Sequence, residues 1–354
     1  MRSDVMVLGA GVVGVAAALH LQKRGRSVTL VDRKDPGEET SYGNAGLIQR
    51  EAYLPYTFPQ GLDRLIRYAL NDQTEAHYQV SSLLDIAPPL YKYWRNATPE
   101  RIELTIRTNR PLFERCLLEH EALAAEAGIT DLLRPGGWIQ IYRKPETMAK
   151  HVNDAERLKA EFGVNSEVLD GQSLAAVEPH LSVEHAAGAI HWKDPSSLRD
   201  PLALTRGYAD LFNRRGGRFV HADAKTLEQG ADGWTVQGPE GPLQAKDVVV
   251  ALGPWSSDIF GPLGYDIPLF VKRGYHMHYS AQGNATLSRT VIDADTGFAL
   301  AAMTKGIRMT TGAEFAHRDA PATPVQVDRC EPKAREPFPL DRRVEPEPWL
   351  GRRP

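Results

Sequence analysis

The chain has 354 residues, of which 42% are hydrophobic and 25% charged, an ordinary composition for a soluble globular protein of one or two domains. Its net charge of −3, from 45 acidic and 42 basic residues, gives no electrostatic reason to expect nucleic-acid binding. Two cysteines, Cys116 and Cys330, are too few for a zinc site or a disulfide framework. No metal site is predicted, and reduced cytosolic thiols are a simpler interpretation than a single disulfide.

The N-terminal segment predicts a βαβ unit. Residues 4–9 (DVMVLG) are typical of a short buried strand bounded by glycine, and SVTLVDR (27–33) is typical of a second buried strand. Residues 15–24 predict a helix that ends at Gly25. A cleaved signal peptide is the alternative for this apolar stretch. Asp4, the regularly spaced glycines and the unbroken continuation into the second strand argue against it.

The first turn of this unit carries the pattern Gly-x-Gly-x-x-Gly. Gly9 allows the tight turn, Gly11 lets the backbone approach a pyrophosphate, and Gly14 lets the helix pack closely on the strand. The helix N-terminus offers free N–H groups and partial positive charge to the phosphates. Asp32 can accept hydrogen bonds from a ribose diol, which favours NAD or FAD over NADP. The cofactor-binding residues predicted here are Gly9, Gly11, Val12, Val13, Gly14, Asp32 and Arg33.

A polar loop of small residues, PGEETSYGNAGLI (36–48), follows where an NAD enzyme would normally continue into further βα units. Such a loop can run along an extended ligand and donate backbone and hydroxyl hydrogen bonds. A plain surface turn is the alternative, but surface turns are rarely so long. The loop therefore favours FAD over NAD, with predicted contacts from Thr40, Ser41, Asn44, Ala45 and Gly46.

At this point the sequence resembles the D-amino-acid-oxidase-like superfamily of FAD oxidoreductases, and within it the bacterial D-amino-acid dehydrogenases. Later segments agree with the family in order and spacing, so that the resemblance covers nearly the whole chain. These segments are DPSSL (194–198) with a helix at about 201–215, a strand at 220–229, a buried strand at 248–252, Arg273 to His276, and TKGIRMTTGAEF (304–315). The resemblance implies that the backbone at Ala224 touches adenine and that Gly253 and Trp255 form a second dinucleotide-binding turn.

The cofactor motifs alternate along the chain with segments of another character. Residues 60–133 predict mostly helix, whereas 136–143 and 266–315 show the alternation of antiparallel strands. Residues 318–348 predict a loosely packed connection, where the family comparison implies a helix and a turn. The predicted fold is α/β, with a Rossmann-like FAD-binding domain and a discontinuous antiparallel-sheet substrate domain. The predicted FAD-binding domain comprises 1–55, 190–260 and 335–354, and the substrate domain 56–189 and 261–334.

In amino-acid oxidation the flavin carries out the difficult step, and the protein orients the substrate and holds its carboxylate. The planar fork of arginine matches a carboxylate in two-point contact. The pattern W-x-G-x-R-P at the end of the chain is similar to the family segment whose arginine binds the carboxylate in oxidase relatives. The resemblance implies this role for Arg353, with Arg308 as the second candidate. Tyr275 and His276 are the next candidates for lining the pocket, although a packed strand histidine is an equally good interpretation of His276.

The resemblance implies an FAD-dependent D-amino-acid dehydrogenase or oxidase of amino-acid catabolism, which forms a 2-oxo acid by hydride transfer from Cα to flavin N5. A secondary- or N-methyl-amine oxidase of the same superfamily is the alternative. Leu300 stands where glycine-oxidase relatives place a carboxylate-binding tyrosine, which argues against their precise substrate. FAD is predicted to be non-covalent, because neither cysteine lies in a pattern linked to covalent flavin. The expected electron acceptor is a quinone, oxygen or a carrier protein.

The family pattern continues for several tens of residues beyond Pro354, including a helix whose N-terminus points at the flavin. A truncated, inactive flavoprotein fragment is therefore the third alternative. The protein is expected in the cytoplasm, with at most a peripheral contact to the inner membrane. The nearest candidate for that contact is QGLDRLIRYAL (60–70), whose apolar face is better explained by core packing.

Overall fold

The computed structural model describes residues 2–354 (for residues 62–64, the backbone only). The helices of this range, numbered in chain order, are α1 (Val12–Lys23), α2 (Leu62–Ala69), α3 (Leu83–Arg95), α4 (Pro99–Ala127), α5 (Pro145–Phe162), α6 (Gly171–Val177), α7 (Pro201–Arg214), α8 (Ser257–Phe260) and α9 (Val325–Arg335).

The strands of the same range form three sheets and are also numbered in chain order. They are β1 (Arg2–Leu8), β2 (Val28–Asp32), β3 (Leu47–Ile48), β4 (Ala76–Tyr78), β5 (Leu133–Arg134), β6 (Trp138–Tyr142), β7 (Ser166–Leu169), β8 (Gly188–Trp192), β9 (Ser196–Leu198), β10 (Arg218–His221), β11 (Glu228–Gly230), β12 (Gly233–Gly238), β13 (Gly241–Val250), β14 (Lys272–Ala281), β15 (Thr290–Asp293), β16 (Ala299–Met303), β17 (Gly306–Thr310), β18 (Ala313–Phe315), β19 (Leu340–Arg343) and β20 (Trp349–Arg353).

A six-stranded sheet contains the predicted βαβ unit and has the order β10-β2-β1-β13-β12-β11. Its first four strands are mutually parallel, and β12 is antiparallel to its two neighbours. Alternate residues of β1 enter different cores: Val7 packs with the helices α1 and α7, and Leu8 packs on the opposite face. Burial on both faces explains the continuous apolar sequence of this strand. The helix after it begins at Val12, not at residue 15 as predicted.

An eleven-stranded sheet forms the second half of the molecule, with the order β4-β18-β14-β17-β16-β15-β6-β8-β7 and with β19 and β20 also paired to β14. Most of its pairings are antiparallel, as predicted, but β15 with β6 and β18 with β4 are parallel. The strand β14 is buried on both faces from Arg273 to Tyr279. The side chains of Met277 and Tyr279 enter the core that α9 covers, whereas His276 packs on the other face against Trp349.

Two predicted strands differ from the structure. The segment 220–229 is interrupted by a 3₁₀ turn over Ala224–Thr226, because the Asp223 carboxylate accepts a hydrogen bond from the Lys225 N–H and closes the turn. The strand β13 begins at Gly241, and its last residues, Val248 to Val250, are half-buried rather than buried. These residues lie at the carboxyl end of the strand, where several loops meet, so that neighbouring elements cover them only in part.

The C-terminal segment is also packed differently from the prediction. Residues 318–348 are not a loose connection, because α9 buries Val327 and Cys330 in the core of the large sheet. The predicted helix is confirmed there. Residues 335–354, assigned above to the FAD-binding domain, contribute β19 and β20 to the large sheet instead. Their position follows from β14, which pairs with β17 along one edge and with β19 and β20 along the other.

The helix α2 does not use its whole apolar face for packing. Ile66 is 64% exposed and Leu70 is 68% exposed. The prediction that this face packs in the core is therefore wrong for these two residues. Leu65 faces a cavity described below. The side chain of Leu62, also part of the predicted face, lies outside the described residues. Among the described residues, no helix combines the length and apolar character that crossing a bilayer needs; a peripheral membrane contact stays a prediction.

Candidate active site

Four loops meet at the carboxyl edge of the parallel strands. Leu8 lies beside Val31 on one side and Val250 on the other, so that the strands β1, β2 and β13 end at one level. The Gly9 N–H donates to Val31 O at 2.7 Å, and the Ala251 N–H donates to Leu8 O at 2.7 Å. The strand β10 runs parallel to β2 and ends beside Asp32. This edge is where parallel α/β sheets bind ligands. It brings together the predicted residues Gly9, Asp32, Ala224 and Gly253.

The N-terminus of α1 is open toward this edge. Gly11 is its N-cap, and no side chain of its own caps the helix. The Ser41 hydroxyl oxygen accepts the Val12 N–H at 2.9 Å. The other N–H groups of a first helical turn have no intrahelical acceptor and favour an anion. Because Gly11 has no side chain, the space in front of these groups is free. Of the predicted residues, Val13 therefore offers a backbone donor, whereas the N–H of Val12 is already bound by Ser41.

Asp32 and Arg33 extend the site beyond the helix N-terminus. The two oxygens of the Asp32 carboxylate accept the Ala10 N–H at 2.7 Å and the Lys34 N–H at 3.1 Å. A carboxylate has about four acceptor positions, so that two stay available for a ribose diol. The guanidinium of Arg33 lies 4.4 Å from the ring centre of Trp255. The structure thus brings together two residues that lie far apart in the sequence.

The loop 40–46 is held by its own side chains and by the large sheet. Thr40 Oγ1 donates to Arg352 O at 2.5 Å. The side chain of Asn44 donates to Ser41 O at 3.0 Å and accepts the Gly46 N–H at 2.7 Å. Much of the predicted hydrogen-bonding capacity therefore fixes the shape of the loop. Asn44 and Ala45 still face the large cavity that begins here.

A cavity of about 1020 Å³ runs from this loop to the large sheet, a volume at the upper end of small-molecule sites. Val12 and Ala45 line one end, and Lys272, Gly312 and Arg353 line the other. The helices α2 and α3 and the segment before them form an apolar wall. The wall residues include Tyr56, Leu65, Tyr68, Leu83, Leu90 and Tyr93.

Arg353 presents its guanidinium to this cavity. The antiparallel pairing of β20 with β14 places it directly opposite Lys272. The guanidinium lies over Gly274, where an added Cβ would come within 2.9 Å of Nη2. Nη2 donates to Gly312 O at 3.3 Å, and within residues 2–354 no carboxylate pairs with the group. Surrounding protein atoms lower the pKa of Arg353 by desolvation, while the side chain keeps exposed surface toward the cavity.

Arg308 occupies a different position. Its Nε donates to His278 Nε2 at 3.0 Å, and its Nη1 donates to Tyr42 O at 3.0 Å and to Asn44 O at 2.8 Å. The side chain is only 3% exposed. This geometry favours a role in holding the loop 40–46 over the predicted role as a carboxylate ligand.

Tyr275 and His276 do not line the cavity, in contrast to the prediction. The Tyr275 hydroxyl donates to Glu314 Oε2 at 3.0 Å and accepts the Thr323 N–H at 2.8 Å inside the core. The ring of His276 stacks on Trp349 with centroids 4.9 Å apart. Burial lowers the pKa of His276 to about 2, so that its ring is neutral. The structure favours the packed strand histidine.

Sequence reasoning missed several residues of the cavity. Lys272 lies directly before the Arg-Gly-Tyr-His motif, but its position opposite Arg353 depends on strand register, which the sequence does not specify. Thr310 Oγ1 and His77 Nδ1 are buried atoms of cavity-lining residues and have no hydrogen-bond partner in the part of the chain that the structure describes. No sequence pattern indicates this. Leu300 was compared with a substrate-binding tyrosine, but its side chain packs in the core of the large sheet, so that it carries no information about the substrate.

Glu51 is buried and is hydrogen-bonded to Gln49, which lines the cavity. Its Oε1 accepts the Trp138 indole N–H at 2.7 Å and a Gln49 amide N–H at 3.0 Å, and its Oε2 has no partner among the described residues. Burial raises the pKa of Glu51 from 4.5 to about 7. Between these pH values the folded protein binds the proton more tightly than the unfolded chain does. The stability that the protonated Glu51 contributes is therefore fully present below pH 4.5 and is lost as the pH rises toward 7.

We expect the variant Glu51→Gln to remove this loss. In the unmodified protein the free energy of unfolding should fall by roughly 3 kcal/mol more than in the variant between pH 4.5 and 7.5. Urea unfolding at several pH values measures the difference. Glu121→Gln, a change of an exposed carboxylate on α4, is the matched control. Parallel pH profiles of the unmodified protein and Glu51→Gln would contradict the prediction.

Comparison with known proteins identifies the family to which this chain belongs. The model of the FAD dependent oxidoreductase family matches residues 4–354. A D-amino-acid oxidase of Bradyrhizobium diazoefficiens is 28% identical over 321 residues, which cover 89% of this chain and 75% of that protein. A D-amino acid dehydrogenase of Xylella fastidiosa is 30% identical over 329 residues, which cover 90% and 74%.

Solved structures agree in fold. Glycine oxidase from Geobacillus kaustophilus superposes with a TM-score of 0.69 at 20% identity, over 100% of this chain and 83% of its own. L-proline dehydrogenase from P. horikoshii also gives a TM-score of 0.69, at 16% identity, over 99% and 81%. The family match extends over almost the whole chain and includes the glycine turn, the acid after the second strand and the strand that carries the cavity arginine. The chain therefore belongs to the family of FAD dependent oxidoreductases.

Proposed function

We propose that this protein oxidises a D-amino acid to a 2-oxo acid and ammonia, with FAD as its non-covalent cofactor. The observation that carries the proposal is Arg353, a guanidinium without an acidic partner within residues 2–354, which faces the cavity between the cofactor loop and the large sheet. The two relatives at 28% and 30% identity are named for D-amino acids, which supports this substrate class. In this proposal the six-stranded sheet forms the cofactor domain and the large sheet forms the substrate domain.

The carboxyl edge of the parallel strands fits FAD. The open helix N-terminus at Gly11 accommodates the pyrophosphate, and the free acceptor positions of Asp32 suit the adenosine ribose. The loop 40–46 lies against the helix through Ser41, which supports a backbone contact of this loop with the same ligand. The backbone at Ala224 and the turn at Gly253 close the site around the adenosine.

The substrate side follows from charge and shape. Arg353 holds the carboxylate, and Gly274 leaves the room that its guanidinium needs. Bound FAD supplies the hydride acceptor for the hydrogen on Cα. The apolar wall from α2 and α3 lines this space, and its low polarity strengthens the contact between guanidinium and carboxylate. The neutral His276 and the loop-bound Arg308 keep the cofactor loop in place.

The first test is a spectrum of the purified protein. Oxidised-flavin absorption that survives gel filtration, and flavin that is released by acid precipitation, are the expected results. Anaerobic bleaching by D-amino acids but not by L-amino acids supports the proposed reaction. Bleaching by glycine or sarcosine alone would replace it with a secondary-amine oxidation. A colourless, aggregating preparation would favour the truncated, inactive flavoprotein fragment.

The second test changes the proposed carboxylate ligand. Arg353→Met should raise the KM for the amino acid by roughly 10- to 100-fold, since a charge-assisted contact is lost. Arg353→Lys should recover part of that loss, because it keeps the charge without the two-point geometry. Arg101→Met, a change of an exposed arginine on α4, is the control. An unchanged KM in Arg353→Met would exclude this residue as the ligand.

A further inference from the structure

Two cations stand side by side at the substrate end of the cavity. Lys272 and Arg353 are direct cross-strand partners in the antiparallel pair of β14 and β20. The side chains of such partners project from the same face of the sheet, with Cβ atoms about 4.5–5.5 Å apart. Both residues line the cavity. Like charges in this arrangement destabilise a sheet, so that the pair has a cost unless an anion lies against it.

The partners of Lys272 are neutral. Its Nζ donates to the Tyr93 hydroxyl at 3.2 Å and lies 4.2 Å from the centre of the same ring. An ammonium group has three donors, so that donors stay available toward the cavity. Within residues 2–354 no carboxylate forms an ion pair with Lys272. Burial, and secondly the neighbouring Arg353, lower the pKa of Lys272 from its usual value.

The carboxylates that face the cavity are already neutralised by other residues. Glu75 pairs with Arg67 at 3.0 Å, and Asp293 pairs with Arg143 at 2.6 Å. Neither of these two arginines is among the lining residues. The uncompensated charge of the cavity is therefore positive and is concentrated at Lys272 and Arg353. Under the function proposed above, the α-carboxylate of the substrate compensates the charge of Arg353 and leaves the charge of Lys272 uncompensated.

We propose that the substrate carries a second carboxylate on its side chain, as aspartate and glutamate do, and that Lys272 binds it while Arg353 binds the α-carboxylate. The inference rests on the proposed function and assigns its substrate class. Adjacent cross-strand positions suit two carboxylates joined by a short carbon chain. In this arrangement Lys272 determines specificity and takes no part in the oxidation itself.

The experiment compares substrates that differ only in side-chain charge. In the unmodified protein, kcat/KM for D-glutamate should exceed that for D-glutamine by about 10- to 100-fold, and D-aspartate should exceed D-asparagine similarly. Lys272→Gln should bring these ratios close to one by lowering the values for the acids much more than the values for the amides. Lys272→Arg should retain the preference. Lys193→Gln, a change of a lysine that pairs with Glu167, is the control.

Binding of inhibitors gives a readout that does not depend on turnover. Titration of the flavin absorption with glutarate and with butyrate should show tighter binding of glutarate, and Lys272→Gln should abolish that difference. Equal binding of the two acids by the unmodified protein overturns the inference. An equal loss for acids and amides in Lys272→Gln also overturns it, since both cations would then bind one carboxylate. Bleaching by no amino acid at all rejects the proposed function instead, and bleaching by neutral D-amino acids with no preference for acidic ones rejects only this inference.

Discussion

Replacing Arg273 with methionine is expected to lower the free energy of unfolding by about 3–5 kcal/mol, because the change leaves a buried carboxylate without its cation. Arg273 and Glu314 are both 0% exposed, and Arg273 Nε lies 2.8 Å from Glu314 Oε2. The same guanidinium donates to Ala320 O at 2.6 Å and to Pro321 O at 2.8 Å. Methionine matches the bulk of the stem but replaces none of these contacts, so that the loop from residue 317 to 321 loses its attachment as well.

Urea unfolding of Arg273→Met measures the loss, and two further variants identify its cause. The double variant Arg273→Met with Glu314→Leu should be more stable than Arg273→Met alone, since no unpaired charge is left in the core. Arg115→Met is the control for an exposed ion pair with Glu119 and should cost less than about 1 kcal/mol. A loss below 1 kcal/mol in Arg273→Met would show that water reaches this pair.

The cofactor half of the molecule could be predicted because its constraints are local. The turn at Gly9, the helix that follows and the acid at Asp32 belong to one continuous βαβ unit, and each residue has a single geometric reason. The structure confirms these elements and brings Gly253, more than 200 residues further along the chain, to the same edge. When parallel strands end at the same level, their order in the sheet is enough to tell which of the loops that follow them lie together.

The substrate half could not be predicted to the same depth, because its contacts depend on strand register. Whether a residue of β14 faces the cavity or the core depends on its pairing with β17 and β20, which the sequence does not specify. Tyr275 was therefore expected in the pocket but lies in the core, whereas Lys272 was overlooked. Arg308 was recognised as a functional arginine from its motif, but its hydrogen bonds to the loop 40–46 become visible only in three dimensions.

Substitutions at two glycines of the first turn distinguish an effect on folding from an effect on cofactor binding. A Cβ at Gly14 would lie 1.8 Å from Gly9 O and 2.9 Å from the carbonyl carbon, which are backbone atoms that cannot rotate away. A Cβ at Gly11 would meet only Ser41 Oγ, at 3.2 Å, and that hydroxyl can move. Gly14→Ala must therefore separate the helix α1 from the strand β1, whereas Gly11→Ala only adds a methyl group beside the proposed position of the phosphates.

We expect Gly14→Ala to destabilise the flavin-free protein by at least about 3 kcal/mol, beyond ordinary overpacking, and to abolish flavin retention on gel filtration. Gly11→Ala should stay within about 1 kcal/mol of the unmodified flavin-free protein and still lose most of its flavin affinity. Gly230→Ala is the control, because the nearest atom to its added Cβ is Gly233 O at 3.8 Å. If Gly11→Ala bound flavin as tightly as the unmodified protein, the phosphates could not lie at this helix N-terminus. If Gly14→Ala unfolded at the same urea concentration, the close contact of helix and strand would not determine stability.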